Sequence, residues 1–314
     1  MYVYVLRRVL ETIPVMFVVA LFVFLMLRLA PGDPAAVIAG DYATAEDIAR
    51  IRERLGLNEP IHIQFMTWIG SLMQGDLGVS IFNRLPVTTL IGQRLEPTLM
   101  LALTTILFTI LVAVPLGTLA AWKAGSLIDR FVMVFSVAGF SIPVFVLGYI
   151  LVYFLAIELR WLPVQGYKSM WEHGFIEFIK HMILPTLTLS VIFIALIARM
   201  TRASVMEVLQ EDYVRTARAK GQSEFKILMR HALRNAAVPI VTVIGIGIAL
   251  LIGGVVVTES VYNIPGLGRL VLDAVLARDY PIIQGLILFF SFIYILINLL
   301  IDLSYTFFDP RIRY

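Results

Sequence analysis

Six long apolar runs, separated by polar segments, dominate the chain. A helix needs about 20 apolar residues to cross the roughly 30 Å hydrocarbon core of a bilayer, and every run approaches or exceeds that length. The pattern therefore predicts an all-α polytopic membrane protein with six transmembrane helices. The spans are predicted at residues 9–29, 98–121, 131–156, 182–200, 236–258 and 281–303.

The polar stretch between the first two runs predicts a small helical insert. Pro31-Gly32-Asp33-Pro34 is expected to end the first helix, because proline has no amide proton and disfavours helix in the residue before it. Thr44 and Asp47 have capping-box spacing and predict a short helix over residues 47–55. Apolar positions in residues 61–73 recur at helical intervals and predict a surface helix in an aqueous compartment. The insert either caps the outer ends of the spans or receives a soluble partner.

Lysine and arginine in the short connections indicate the orientation of the chain, since these residues accumulate on the cytoplasmic side. Fourteen of them fall on the side that holds both termini, and five fall in the short loops of the other side. Both termini are therefore predicted to be cytoplasmic. The predicted divisions are an N-terminus and first span (1–29), a periplasmic insert (30–97), a five-helix core (98–303) containing a cytoplasmic loop (201–235), and a cytoplasmic tail (304–314).

Composition supports a membrane protein and argues against several other classes. Hydrophobic residues make up 60% of the chain, mean hydropathy is +0.89, and charged residues make up 15%, against about 25% in soluble domains. The net charge of +3 comes from basic residues that flank apolar runs, so nucleic acid is not expected as a partner. No cysteine is present, and we find no phosphate-binding loop, metal-binding motif or catalytic motif. No catalytic residue, cofactor site or metal site is predicted.

The energy source is expected to lie outside this chain. The central parts of the six runs contain no Asp, Glu, Lys, Arg or His, whereas a proton-driven transporter needs a buried ionisable group as its coupling element. Hydroxyl groups such as those of Ser136, Thr186 and Ser190 leave a sodium-coupled secondary transporter as an alternative.

Several spans are interrupted by glycine or proline, which membrane helices tolerate where they line a cavity or pack on other helices. After the fifth run, a turn at Asn263-Ile264-Pro265-Gly266 precedes a helix with one apolar face that is expected at the outer interface. This helix is either a gate over a pathway or an inert interfacial element. Together these features predict pathway or gate residues at Ser141, Pro143, Gly253, Gly254, Glu259, Arg269 and Asp273.

The polar, basic stretch over residues 211–235, here called the docking segment, is the most informative part of the chain. It predicts two short helices hinged at Gly221, a residue type that readily adopts the left-handed conformation found just past a helix end. Ser223 is placed to cap the second helix. The first helix is rich in small residues that suit a groove on another protein, and the alternative is a solvated loop near anionic lipid headgroups. The predicted docking residues are Glu211, Asp212, Tyr213, Arg215, Thr216, Ala217, Arg218, Ala219 and Gly221.

At these residues the chain resembles the membrane-spanning permease subunits of bacterial ATP-binding-cassette importers. That family carries a cytoplasmic loop with an EAA sequence, three residues and then a glycine. Here the glycine is Gly221, and Arg215-Thr216-Ala217 stands where EAA is expected. The departure matches the dipeptide, oligopeptide and nickel importer group, whose motifs recur in order along the chain. They are LAPGDPA (29–35), GDLGVSI (75–81), YVRTARAKG (213–221), HALRNAAVP (231–239), PGLGR (265–269), RDYPIIQG (278–285) and DPRIR (309–313).

The resemblance implies a multi-pass permease of the bacterial inner membrane that works by alternating access. Its implied partners are a second, similar permease subunit, two ATPase subunits that bind ATP and magnesium, and a periplasmic or lipid-anchored solute-binding protein. The docking segment would contact the ATPase subunits. Di- or oligopeptides are the implied cargo, and glutathione, nickel complexes and some sugars are carried by similar systems.

Overall fold

The structure is a computed structural model that describes residues 2–29, 34–39, 43–54 and 56–308. Helices dominate this part of the chain, and a single isolated β-bridge joins Val79 to Pro86 within it. Two π-helical stretches continue neighbouring α-helices. Val152–Glu158 follows the helix that ends at Leu151, and Ile227–Ala232 follows the helix that ends at Lys226. The α-helices are α1 (Tyr2–Leu29), α2 (Pro34–Ala39), α3 (Ala45–Arg54), α4 (Ile61–Met73), α5 (Val87–Trp122), α6 (Leu127–Ser141), α7 (Val144–Leu151), α8 (Met170–His173), α9 (Phe175–Leu209), α10 (Asp212–Ala219), α11 (Glu224–Lys226), α12 (Leu233–Asn235), α13 (Ala237–Val261), α14 (Leu267–Ala277) and α15 (Tyr280–Phe308).

Each predicted span falls on helical structure, and this agrees with the predicted all-helical membrane class. Three helices of the described chain are individually long and apolar enough to cross a bilayer: α5, α9 and the Tyr280–Leu303 part of α15. Two bent helix pairs raise that number to five if each pair is one span, and Leu10–Met26 forms a shorter apolar helix within α1. The six-span count and the orientation remain predictions.

The chain divides into two compact units. One contains residues 1–95 and 269–295, and the other contains residues 96–268 and 296–314. The linear division made from the sequence is a separate prediction that this clustering does not test.

Helix α9 is the central element of the unit formed by residues 96–268 and 296–314. It packs against α6, α7 and α13, and 67% of its most apolar stretch is buried, against 22% for α5. Leu184, Leu189 and Phe193 of α9 belong to the main hydrophobic cluster of this unit. Several buried hydroxyl groups of α9 have partners within the unit: Thr186 bonds to the Thr104 hydroxyl, Thr188 to the Tyr262 hydroxyl and Ser190 to the Leu187 carbonyl.

Glycine allows close helix packing at two positions in this unit. A Cβ atom on Gly117 of α5 would overlap the Ala198 carbonyl and lie 2.7 Å from Thr201 Cβ on α9. A Cβ on Gly245 of α13 would overlap the Ile301 side chain. An alanine at Gly117 would force the two helix backbones apart, because the overlapping atom is a backbone oxygen.

In the unit formed by residues 1–95 and 269–295, the predicted helix caps and bounds are largely confirmed. Thr44 and Asp47 form the expected reciprocal pair: the Asp47 amide donates to Thr44 Oγ1 and the Thr44 amide donates to Asp47 Oδ2, both at 3.2 Å. The Thr44 hydroxyl also donates to Asp47 Oδ2 at 2.6 Å, and this bond, followed by that from the Thr44 amide, holds the pKa of Asp47 below its ordinary value. Helix α4 has the predicted bounds. The predicted helix stop at Pro31-Gly32-Asp33, the position of Leu55 and the DPRIR motif lie outside the described residues.

The environment of α4 is more apolar than the sequence analysis expected. Phe65 of α4 is buried and packs edge-on against Phe17 and Phe24 of α1, with ring centroids 5.9 and 5.2 Å apart. The outward side of α4 carries Ile61, Ile63, Met66 and Met73 beside His62 and Thr67. Because both its inner and much of its outer surface are apolar, α4 lies against α1 as a mainly hydrophobic element.

Two motifs that are distant in sequence meet in the same unit. Ser80, from GDLGVSI, donates its hydroxyl proton to Asp279 Oδ2 at 2.6 Å, and the Ile81 amide donates to Asp279 Oδ1 at 3.3 Å. Both Ser80 and Asp279 are 2% exposed. Asp279 immediately precedes α15 and its carbonyl accepts from the Ile283 amide. The two motifs therefore form one buried junction that fixes the start of the last helix.

Candidate functional site

The docking segment (residues 211–235) has the two-helix form that its sequence predicts. Glu211 has an extended conformation after the end of α9, and α10 follows from Asp212 to Ala219. Gly221 has φ = +75°, and the Gln222 amide bonds to the Ala217 carbonyl, so the chain reverses just past α10. The second helical stretch runs from Glu224 to Asn235. Ser223 occupies the predicted N-cap position, although its side chain makes no capping hydrogen bond.

The side chains of α10 separate into a buried face and an exposed face. Val214 and Ala217 pack with Ile227 in a small hydrophobic cluster, which Val208 and Leu209 of α9 complete. Ala217 therefore faces its own chain and not a partner, which differs from the groove-facing role predicted for it. The other eight predicted docking residues are exposed: Glu211, Asp212, Tyr213, Arg215, Thr216, Arg218, Ala219 and Gly221.

Ion pairs and hydrogen bonds hold the two helices of the docking segment together. Arg218 of α10 donates from Nε and Nη2 to the two carboxylate oxygens of Glu224, at 2.8 and 3.2 Å. The bond to Glu224 raises the pKa of the Arg218 guanidinium. His231 and Gln222 lie within hydrogen-bond distance at 2.8 Å. Partial burial raises the pKa of Tyr213, with a hydrogen bond from Asn235 acting in the opposite direction.

The third predicted span is interrupted at Ser141 and Pro143. Helix α6 ends at Ser141, and the helix that resumes at Val144 is bent from it by 104°. The Ser141 and Pro143 side chains are both exposed, and the Ser141 hydroxyl donates to the Val137 carbonyl at 3.0 Å. The break therefore leaves the Ser141 and Pro143 side chains on the surface of their unit, and their place on a pathway stays a prediction.

The two glycines predicted at the pathway in α13 have different surroundings. Gly253 is exposed and a Cβ there would meet no atom within 4 Å, whereas a Cβ on Gly254 would lie 2.7 Å from Leu189. Gly253 belongs to an exposed stripe at helical spacing that also contains Ile246, Leu250 and Val257. Gly253 is thus open to a pathway or partner, and Gly254 is a packing residue.

Glu259 is fully buried and organises the connection between α13 and α14. Its Oε1 accepts a hydrogen bond from the Thr98 hydroxyl at 2.5 Å, and the Leu267 amide donates to Thr98 Oγ1 at 2.7 Å. The carboxylate lies so close to Gly266 that a Cβ atom there would overlap it. A Cβ on Gly268 would be 2.6 Å from Val256 Cα. Glu259 therefore lies at the centre of a buried set of contacts that joins Thr98 to the start of α14.

The other two predicted gate residues lie on α14. Arg269 is half-buried and Asp273 is exposed. The apolar face predicted for this helix is largely confirmed, since Leu267, Leu270 and Ala274 are buried. Val275 of the same helix is 51% exposed, so the buried apolar face of α14 is narrower than predicted.

Two further polar clusters were not predicted from the sequence. Asp129 of α6 is held by Arg202 of α9 in a two-bond ion pair, with Arg202 Nη2 lying 2.8 Å from Asp129 Oδ2. Glu96 Oε1 accepts hydrogen bonds from the Tyr167 hydroxyl at 2.9 Å and the Ser169 hydroxyl at 2.6 Å. Burial and the bond to Glu96 raise the pKa of Tyr167.

Only one of these two clusters has a local sequence signal. Ser126 and Asp129 have helix-capping spacing, and the Asp129 amide donates to Ser126 Oγ at 3.4 Å. That spacing predicts the start of α6 but not the Arg202 partner. We find no corresponding local pattern around Glu96.

Comparison with known proteins identifies the class. Residues 113–314 match the family described as binding-protein-dependent transport system inner membrane component, and residues 1–104 match the N-terminal family of the same transport systems. The chain is 58% identical over 312 residues to a probable peptide ABC transporter permease, y4tP, of Sinorhizobium fredii, with 99% of each chain covered. It is 45% identical over 311 residues to the glutathione transport system permease GsiC of Salmonella typhimurium and of Escherichia coli K12, again with 99% coverage.

A solved structure supports the fold. A chain of the inward-facing MetNI methionine ABC transporter matches with a TM-score of 0.57, covering 71% of this chain and 97% of that chain. Its 17% sequence identity makes this a likeness of fold alone.

The chain belongs to the family of binding-protein-dependent transport system inner membrane components. It is therefore a membrane permease subunit of an ABC importer, and the sequence resemblance to the peptide-importer group is confirmed. Members of this family have no catalytic site or cofactor of their own, because separate ATPase subunits bind the nucleotide. Membership of this family implies two kinds of partner, an ATPase and a solute-binding protein.

Proposed function

We propose that this permease subunit carries di- or oligopeptides across the bacterial inner membrane by alternating access. Two relatives that match almost its full length are named for peptide and for glutathione transport. Glutathione is itself a tripeptide, so both names refer to short peptides. Glutathione as the physiological cargo is the second candidate, and a nickel complex is a more distant one.

We further propose that the permease pairs with a second, homologous subunit and docks on two ATPase subunits through α10. The observation that carries this proposal is the division of α10 into two faces. Val214 and Ala217 hold the helix to its own chain, while Asp212, Arg215 and Thr216 remain exposed. A helix held in place on one side and polar on the other transmits displacement from a bound ATPase to α9.

The exposed stripe on α13 supports the pairing with a second permease. Ile246, Leu250, Gly253 and Val257 are spaced to share one helix face. A stripe with a glycine at its centre allows close approach of another helix or of a solute. Ser141, Pro143 and Gly253 are predicted pathway residues whose exposure fits this role. Glu259, Arg269 and Asp273 belong in this proposal to the outer gate, with Glu259 acting as its internal support.

The cargo and the energy source can be tested in reconstituted vesicles. The chain is co-purified with its partner permease, ATPases and binding protein, and uptake of a labelled dipeptide, tripeptide, glutathione and nickel is measured with ATP. We expect ATP-dependent accumulation of a peptide, and none in vesicles that hold this chain alone with an ion gradient. Accumulation by the chain alone would identify an ion-coupled transporter and reject the proposed mechanism.

The two faces of α10 lead to a testable contrast between Ala217→Leu and Ala219→Leu. Ala217 is packed inside the chain, so the larger side chain should destabilise the permease by about 1–3 kcal/mol through overpacking. Ala219 is exposed, so its replacement should leave the unfolding midpoint unchanged while reducing the amount of ATPase that co-purifies. Thermal unfolding and pull-down of the tagged permease measure the two effects. Equal unfolding midpoints for the two variants would contradict the assigned faces.

A further inference from the structure

An apolar groove in the unit formed by residues 1–95 and 269–295 has no role in the proposed transport cycle. Its volume is about 440 Å³. Four side chains of α1, three of α4 and three of α15 line it together with Leu77, and all eleven are hydrophobic. Ile13 and Ala20 mark its extent on α1, Leu72 lies on α4, and Phe289 lies on α15. We call this feature the apolar groove.

The apolar groove begins beside the start of α15, where Leu77 lies close to Ser80, and extends to side chains at the depth of the middle of a bilayer. Leu288 and Phe292 line it and follow the first residue of α15 by 8 and 12 positions. At 1.5 Å per residue they lie about 12 and 18 Å along the helix axis. Since the hydrocarbon core is about 30 Å thick, these depths are close to its centre from either side. Ile13 and Ala20 are likewise near the middle of the 28-residue helix α1.

Water is a poor occupant of such a groove. A water molecule needs two to four polar partners, and apolar cavities far larger than one molecule remain dry. The surroundings are apolar too: Phe17, Val18 and Phe22 of α1 are each more than half exposed. The groove is thus continuous with helix surface that faces hydrocarbon in a membrane protein, and α4 closes one side of it through Phe65 and its contacts with α1.

We propose that the apolar groove binds one acyl chain of a membrane phospholipid. The groove has room for an extended hydrocarbon chain, its lining offers only dispersion contacts, and its depth is that of the lipid tails. The bound chain would fill the space between α1, α4 and α15 and so hold α4 against the first span. A side chain from a second membrane subunit is the competing occupant, and the experiment separates the two.

The test counts lipids retained by the full chain, purified from membranes, using native mass spectrometry. Ala20 lines the groove and is 6% exposed, so Ala20→Phe places a ring inside it. Val18 is 62% exposed on the same helix and does not line the groove, which makes Val18→Phe the matched control. We expect one retained phospholipid in the wild type and in Val18→Phe, and a lipid-bound fraction about tenfold lower in Ala20→Phe.

Two further experiments separate loss of the lipid from loss of folding. Thermal unfolding shows whether Ala20→Phe is folded, and Met16→Phe fills the same groove from a more flexible position. The proposal is overturned if the wild type retains no phospholipid, or if filled and control variants retain the same amount. It is also overturned if the wild-type chain loses its lipid on assembly with the second permease, because that result assigns the groove to a protein partner.

Discussion

Gly221→Val should abolish ATP-driven uptake by the assembled transporter while leaving the permease folded in the membrane. Gly221 has φ = +75°, a conformation that costs a β-branched residue about 1–3 kcal/mol. The chain relieves this strain by opening the turn, with loss of the bonds from the Gly221 amide to Arg218 and from the Gln222 amide to Ala217. Helix α10 then no longer presents its exposed face at the required angle. A docking penalty of about 1.4 kcal/mol already reduces ATPase binding tenfold.

The measurement is ATP hydrolysis and peptide uptake in the same vesicles, with membrane content of the permease followed in parallel. Gly174→Val is the matched control, because Gly174 also has a positive φ of +83° and a Cβ there also meets nothing within 4 Å. Gly174 immediately precedes the first residue of α9, whereas the docking segment follows the last residues of α9. Both variants place a valine at a positive φ, so comparable loss of uptake in the two would reject a special role for Gly221.

Removal of the Asp129 carboxylate should be the most destabilising single change among the polar residues described here. Asp129 is 6% exposed, and it pairs with the 23% exposed Arg202 across α6 and α9. The Gly125 amide also donates to it at 2.9 Å. Asp129→Ala leaves a largely buried guanidinium without its counter-charge, which costs about 3–5 kcal/mol. We expect a lower unfolding midpoint in detergent and less permease in the membrane.

An exposed ion pair provides the control for this prediction. Glu177 and Lys180 are 2.8 Å apart, but their side chains are 47% and 50% exposed. Glu177→Ala should therefore change stability by less than about 1 kcal/mol. The double variant Asp129→Leu with Arg202→Met should recover much of the lost stability, because no charge remains buried. If Asp129→Ala and Glu177→Ala have the same unfolding midpoint, the ion pair does not stabilise the fold as described.

Local sequence patterns were sufficient to predict the helices and several of their ends. The six predicted apolar runs fall on helical structure, and the periodicity of residues 61–73 gave the bounds of α4. Gly221 and the Thr44/Asp47 pair act through bonds to nearby residues, so their conformations follow from local chemistry. The family motifs likewise pointed to the correct class of transporter.

The polar networks were beyond sequence analysis because their members are far apart in the chain. Ser80 and Asp279 are separated by 199 positions, Thr98 and Glu259 by 161, and Asp129 and Arg202 by 73. Pairing over such separations depends on how helices pack, which a single sequence does not specify.

The orientation of Ala217 was missed for a related reason. Small residues suit either a partner's groove or a tight internal contact, and only the position of Ile227 decides between them.

The length of α9 bears on how movement crosses the membrane. Its 35 residues form a rod of about 52 Å, longer than the hydrocarbon layer, and only two residues separate its end from α10. Such a rod resists bending, so in the proposed transport cycle a sideways push on α10 would pivot it about its densely packed middle. The far end then swings in the opposite direction. A lever of this kind opens one mouth of a channel as it shuts the other.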